Sequence, residues 1–188
     1  MSETRDLFGG AITAQFPTGF LDASQLRQVP DNQEVLIRND SDVSCIIEVL
    51  QLATEEGAGQ DLDKAIRFHF GSLAHDNSAS SSNIESVRHL EPAPSTVQHE
   101  EPAPTPRPSL LVGTQVIKKF GKATEPDDLV RIRLALWRLE GKSVDLVMSL
   151  NEPLPRGTAA EAAPSADLDA AFEQAAASLK IRDWSLFA

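Results

Sequence analysis

The chain has 188 residues, enough for one domain with a substantial core but not for two of ordinary size. A hydrophobic fraction of 41% and a charged fraction of 24% are those of a globular protein and exclude a chain disordered throughout. Seventeen Lys and Arg against 28 Asp and Glu leave a net charge of −11, which repels nucleic acid and anionic membrane surfaces and makes a basic partner the better expectation.

Residues 7–16, LFGGAITAQF, read as a strand or a bent hairpin arm in which Gly9 and Gly10 permit a bulge. Asp22 or Ser24 then offers a helix-start signal for a single turn that Pro30 closes, and a second strand follows over residues 33–38. In residues 39–57, cap candidates precede Val43, Ile46, Ile47 and Leu50 at i, i+3, i+4 and i+7, which predicts an amphipathic helix. Another helix is expected over residues 60–74, where Leu62, Ile66, His69 and Leu73 share one face. Between residues 40 and 63 the chain carries acids and no basic residue, as solvated helical faces do.

From residue 76 to residue 109 the composition changes to serines at 78, 80, 81 and 82 and six prolines from Pro92 to Pro108. This stretch is expected to be a Ser/Pro-rich mobile insertion, broken by one short strand at IESVRHL. Three β patterns follow: SLLVGTQVIKKF, DLVRIRLALWRL and SVDLVMSL. In the second, Val130, Ile132, Leu134 and Leu136 share one face and Arg131 and Arg133 the other, which predicts half-buried strands. Glu140-Gly141-Lys142 is a tight connection that pairs the last two antiparallel. An alanine-rich linker leads to a helix with the stripe Leu168, Ala171, Phe172, Ala175 and Leu179, and the bulky tail IRDWSLFA is expected to pack back on the domain. The order of elements predicts a single domain over 1–188, an α/β/α sandwich with a mainly antiparallel central sheet flanked by helices.

Signatures of catalysis are missing from the sequence. Gly113 and Gly121-Lys122 lack the spacing of a phosphate loop, and neither Gly-x-Ser-x-Gly nor His-Glu-x-x-His occurs. His69, His75, His89 and His99 lack metal-ligand spacing, so no metal or cofactor is expected. His69, within RFHF, reads as a satisfied core histidine rather than a catalytic one. Cys45 cannot make an internal disulfide and is expected to be a buried thiol. The N-terminus lacks the pattern of a signal peptide and no apolar run approaches the ~20 residues of a membrane span, which places the chain in the cytosol or nucleus. RQVPDNQEV, residues 27–35, reads as a turn with Pro30 at its i+1 position and Asp31 after it, or as a loop holding Asp31 and Glu34 out for a partner. Composition and spacing stop at an acidic binding domain.

LFGGAI followed by GFLDASQLRQVPDNQEV resembles the Mog family, the Ran guanine nucleotide release factors of nuclear transport. SCIIEVLQL is similar to that family's first helix, IRFHF to its second, LALWRL and DLVMSLNEP to its late strands, and RDWSLFA to its C-terminal end. The resemblance implies a Mog/PsbP-like fold and a monomer without chemistry of its own that binds the GTPase Ran, promotes release of its bound GTP and supports nuclear protein import. It also implies residence in nucleus and cytoplasm, with Ran-binding proteins as further partners. The Val-Pro-Asp-x-Gln-Glu-Val motif implies that Asp31 and Glu34 contact Ran. Asp22, Arg27, Gln33 and Glu48 are expected around them from proximity and charge, with Arg27 alternatively holding the loop acids in place. Two other readings are an adaptor of the same fold that binds a basic partner without nucleotide release, and a hydrolase using Asp31, Glu34 and His69.

Overall fold

The computed structural model describes residues 1–90, 104–118, 127–154 and 165–188. The chain opens with a hairpin, β1 (Ser2–Leu7) and β2 (Ile12–Pro17), rather than a single arm. It reverses at Phe8–Gly10, where Phe8, Gly9 and Gly10 take φ of 51°, 65° and 94°. Glycine adopts that region freely; for phenylalanine it is a conformation that surrounding contacts must hold. After β3 (Phe20–Asp22) comes the expected single turn, a 3-10 turn at Ala23–Gln25, and then β4 at Gln33–Arg38, as predicted.

Residues 44–51 are a strand, not a helix: β5 spans Ser44–Gln51. The helical spacing of Val43, Ile46, Ile47 and Leu50 arises because β5 lies inside the sheet with apolar residues on both faces. Cys45, Ile47 and Val49 pack into one core and Leu50 into the other. Apolar residues on a strand's second face, here Ile46 and Leu50, add helical spacings to its two-residue alternation, and its β-branched residues decide for strand. The likeness of SCIIEVLQL to a family helix fails at the same place.

The second expected helix is α1 (Leu62–Asp76), started by Asp61, whose side chain accepts from the N–H groups of Asp63 and Lys64. β6 (Ala79–His89) is longer than the strand expected at IESVRHL and includes Ser80, Ser81 and Ser82. Residues 91–103 of the Ser/Pro-rich stretch lie outside the described residues, as does the linker over 155–164. β7 (Ser109–Ile117), β8 (Asp128–Leu139) and β9 (Val144–Pro153) follow as an antiparallel meander, closed by α2 (Ala166–Ser178) and the short β10 (Lys180–Ile181).

Seven strands form the main sheet in the order β3-β4-β5-β9-β8-β7-β6, and β1-β2-β10 form a smaller one; every pairing is antiparallel. Ala65, Ile66 and Phe70 of α1 pack on Leu111, Ile132, Leu134, Leu136 and Val147 on one face of the main sheet. Gly113 lets α1 come close, since a Cβ there would stand 2.7 Å from Phe70 Cζ. On the other face, Leu168, Phe172, Ala175 and Ala176 of α2 meet Trp137, Leu146 and Met148 with Ile12, Ala14 and Phe16 of the small sheet. The result is the expected α/β/α layering.

The middle strands are buried on both faces rather than on one. Arg131 and Arg133, expected toward solvent, are 7% and 0% exposed. α2 covers that side, and the two guanidiniums are neutralised there: Arg131 by Glu85, Arg133 by Asp169 of α2 and by Glu152 at 2.9 Å. The tail returns as predicted, with β10 on β2 and Phe187 7% exposed. No described helix is long and apolar enough to cross a membrane.

Candidate functional site

The Pro30-Asp31-Asn32 turn stands at the mouth of β4. Gln33 N–H donates to Pro30 C=O at 2.9 Å, which makes Pro30 the first residue of the turn rather than its second, with Asp31 and Asn32 at the centre. Asn32 ties the turn to β5, its C=O accepting from Val49 N–H at 2.9 Å and its side-chain amide donating to Val49 C=O at 3.3 Å. Asp31 is exposed and makes no side-chain hydrogen bond or ion pair among the described residues.

Glu34 is half-buried, and its Oε1 accepts from the N–H of Phe8 at 2.5 Å. That bond reaches from β4 to the corner of the first hairpin and holds the positive-φ turn of LFGG. Burial raises the Glu34 carboxyl above its ordinary value of 4.5; the Phe8 N–H pulls it back, and the charge of Asp22 adds to the rise. Asp22 caps the following 3-10 turn, accepting from Ser24 N–H at 2.8 Å. It lies opposite Leu36, so strand alternation puts Asp22 and Glu34 on the face toward α2.

Gln33 and Glu48 occupy the other face. They are directly opposed across β4 and β5, and Gln33 Nε2 donates to Glu48 Oε1 at 2.6 Å. Burial raises the Glu48 carboxyl; the Gln33 bond lowers it again, Asp76 pushes it up and His69 down. Arg27 is exposed and pairs with no acid among the described residues, so it does not hold the loop carboxylates in place. The six residues named from the sequence thus fall into three groups: Asp22 with Glu34, Gln33 with Glu48, and Asp31 and Arg27 beside them at the end of the sheet.

Other chemistry fits poorly. His69 is 6% exposed and bonds Asp145 through Nε2 at 2.7 Å on the α1 side of the sheet, away from Glu34, so the set Asp31, Glu34 and His69 is not brought together. Burial pushes the Cys45 thiol up to about 12, which leaves it protonated and unreactive at neutral pH. No group of metal-ligating side chains occurs among the described residues. What the β3–β4 edge offers is carboxylate, with two exposed apolar neighbours that sequence reasoning missed: Leu21 at 44% and Leu26 at 71% exposure. Their signal was present in GFLDASQL, where an apolar residue stands on each side of the one-turn helix. Phe8 was missed as well, because its contribution is a backbone N–H.

A family model described as Ran-interacting Mog1 protein matches residues 5–153. The chain is 38% identical over 152 residues to the Ran guanine nucleotide release factor of Danio rerio, covering 80% of this chain and 78% of that one. It is 32% identical over 193 aligned positions to the Ran guanine nucleotide release factor of Homo sapiens, covering 100% and 98%. Against the nuclear import protein mog1 of Schizosaccharomyces pombe it is 36% identical over 151 residues, covering 79% and 76%. The crystal structure of the Saccharomyces cerevisiae Ran-binding protein Mog1p superposes with a TM-score of 0.76 at 29% identity, over 100% of this chain and 99% of that one.

Proposed function

The chain belongs to the Ran-interacting Mog1 family, and from that membership we infer that it binds the GTPase Ran, promotes release of Ran's guanine nucleotide and supports protein import into the nucleus. The observation that carries this reading is the family match over residues 5–153, with relatives so named aligned along the whole chain. The activity belongs to one domain over residues 1–188, since strands from both ends of the chain share a sheet. Its place of action is the nucleus and cytoplasm.

Release needs no chemistry from the protein itself. A release factor acts by binding the nucleotide-loosened GTPase more tightly than the loaded one, and each tenfold weakening of the nucleotide takes ~1.4 kcal/mol of that difference. Carboxylates suit the task because they can pair with Lys or Arg groups that otherwise serve phosphate or its surrounding loops. Asp31 and Glu34 are the carboxylates assigned to it. Asp31 stands exposed on a turn already fixed to β5, so little freedom is lost when it is engaged. Glu34 keeps Oε2 without a hydrogen bond among the described residues, and its half-burial strengthens any charge pair formed there. Asp22 adds negative potential on the same face, and Leu21 and Leu26 supply apolar surface beside it.

The test is release of a labelled guanine nucleotide from purified Ran, with and without stoichiometric protein. Acceleration is expected, and its absence would reduce the protein to a Ran-binding adaptor. Asp31→Ala combined with Glu34→Gln should cost about 2 kcal/mol of affinity, roughly thirtyfold, with little change in melting temperature. A double variant that binds Ran normally removes these two residues from the interface.

A further inference from the structure

The chain carries 28 acids against 17 bases, yet one of its grooves is lined, among the described residues, by cations without a carboxylate. One wall is the segment 104–108, with Arg107 between Pro106 and Pro108; the other is β10 and the residues around it, with Lys180 and Arg182. Trp137, Leu179 and Ile181 line it below, at 0%, 4% and 4% exposure. Arg107, Lys180 and Arg182 are exposed, and none of them forms an ion pair among the described residues. Arg182 Nε donates to the Thr13 hydroxyl at 3.3 Å. The adjoining acid, Asp183, is committed elsewhere, accepting from Ser185 N–H at 2.9 Å to start the last 3-10 turn.

The walls are fixed to each other before any ligand arrives. Ile181 N–H donates to Thr105 Oγ1 at 2.8 Å, which joins the two walls, and Leu90 N–H donates to Pro108 C=O at 3.4 Å, which anchors the segment 104–108 at the end of β6. Three prolines stiffen the segment 104–108. Three cations gathered without counter-ions among the described residues repel one another, whereas Arg5, Arg38, Arg67, Arg88, Arg131 and Arg133 each pair with a carboxylate of the chain. An anion that spans both walls would relieve that repulsion, and a preformed trough between extended segments fits an extended chain better than a compact ion.

We propose that this groove docks an extended acidic peptide segment of a partner protein, with carboxylates on Arg107, Lys180 and Arg182 and apolar or proline side chains against Pro104 and Pro106. It is opposite in sign to the Asp31 and Glu34 edge and does not rest on the Ran reading.

The experiment is fluorescence anisotropy of a fluorescein-labelled ten-residue peptide alternating glutamate with leucine and proline, titrated with the full chain, beside the same peptide with glutamine for glutamate. Saturable binding of the glutamate peptide that weakens with salt is expected. Arg107→Glu with Lys180→Glu should weaken it by about tenfold or more, and the neutral pair Arg107→Gln with Lys180→Gln by less. Both variants should keep the native melting temperature and Ran nucleotide release. No saturable binding, equal binding of the glutamine peptide, or undiminished binding by folded charge-reversed protein would each overturn the proposal.

Discussion

Two carboxylates of this protein, Asp145 and Glu34, occupy opposite ends of a scale. Asp145 is 0% exposed at the α1 side of β9, where its Oδ2 accepts from Ala53 N–H at 2.9 Å and meets His69 Nε2 at 2.7 Å, while Arg138 Nε stands 3.6 Å from Oδ1. Arg138 donates in turn to the carbonyls of Ala53 and Ala58, so the cluster sews the chain between β5 and α1 onto the sheet. Every partner of that charge is internal. Among the described residues Glu34 has one internal partner, a backbone N–H, and no cation beside it. Buried charge whose partners are all internal builds architecture; half-buried charge with no cation beside it is available to a second molecule.

Asp145→Ala is the strongest way to break that comparison. It leaves His69 and the Ala53 N–H buried without their acceptor and Arg138 without its counter-ion, and a loss of about 3–5 kcal/mol is expected in urea unfolding. Nucleotide release per folded molecule should be unchanged. A variant nearly as stable as the native chain would show that the cluster is not what holds the segment after β5.

Glu34 sharpens the other side. Glu34→Ala removes the acceptor of a half-buried N–H at a residue with φ of 51°, and should cost about 1–2 kcal/mol. Glu34→Gln keeps an amide oxygen for Phe8 and should stay within about 0.5 kcal/mol of the native chain. Both remove the charge, so both should weaken Ran binding. Equal stability of the two variants would mean that the Phe8 bond contributes nothing, and equal affinity to the native chain would mean that the charge does not.

Much of this was legible in the sequence, and what was not has a common cause. β4, α1, the β7 to β9 meander, α2 and the returning tail follow from local periodicity and caps, as do the burial of His69 and Cys45. β5 does not, because its covering comes from α2 and the small sheet, elements distant in sequence, and a strand that carries apolar residues on both faces shows the apolar spacing of a helix. Arg131 and Arg133 were misplaced for the same reason: Asp169 is 36 residues from Arg133. The site suffered next. Gln33 and Glu34 are neighbours in RQVPDNQEV but face opposite sides of the sheet, and Glu48 belongs with Gln33 only through a register set by strand pairing. The resemblance to the Mog family picked out the motif; the geometry divides it.

The smallest expected effect tests the division most directly, because it gives one group two opposite slopes. Burial holds the Glu34 carboxyl above 4.5, so between that value and its raised one the folded chain binds more protons than the unfolded chain. Stability therefore falls as pH rises through the window, and is level above it. Glu48 is raised by burial as well, so the Glu34 share is read as the difference between the native chain and Glu34→Gln. That difference should move against the native chain as pH rises. Ran affinity should move the other way, since a cation pairs with the ionised carboxylate, and it should be flat in the glutamine variant. A Glu34 that only held the Phe8 turn would show the stability slope without the affinity slope, and Ran titrations across the same pH range distinguish the two.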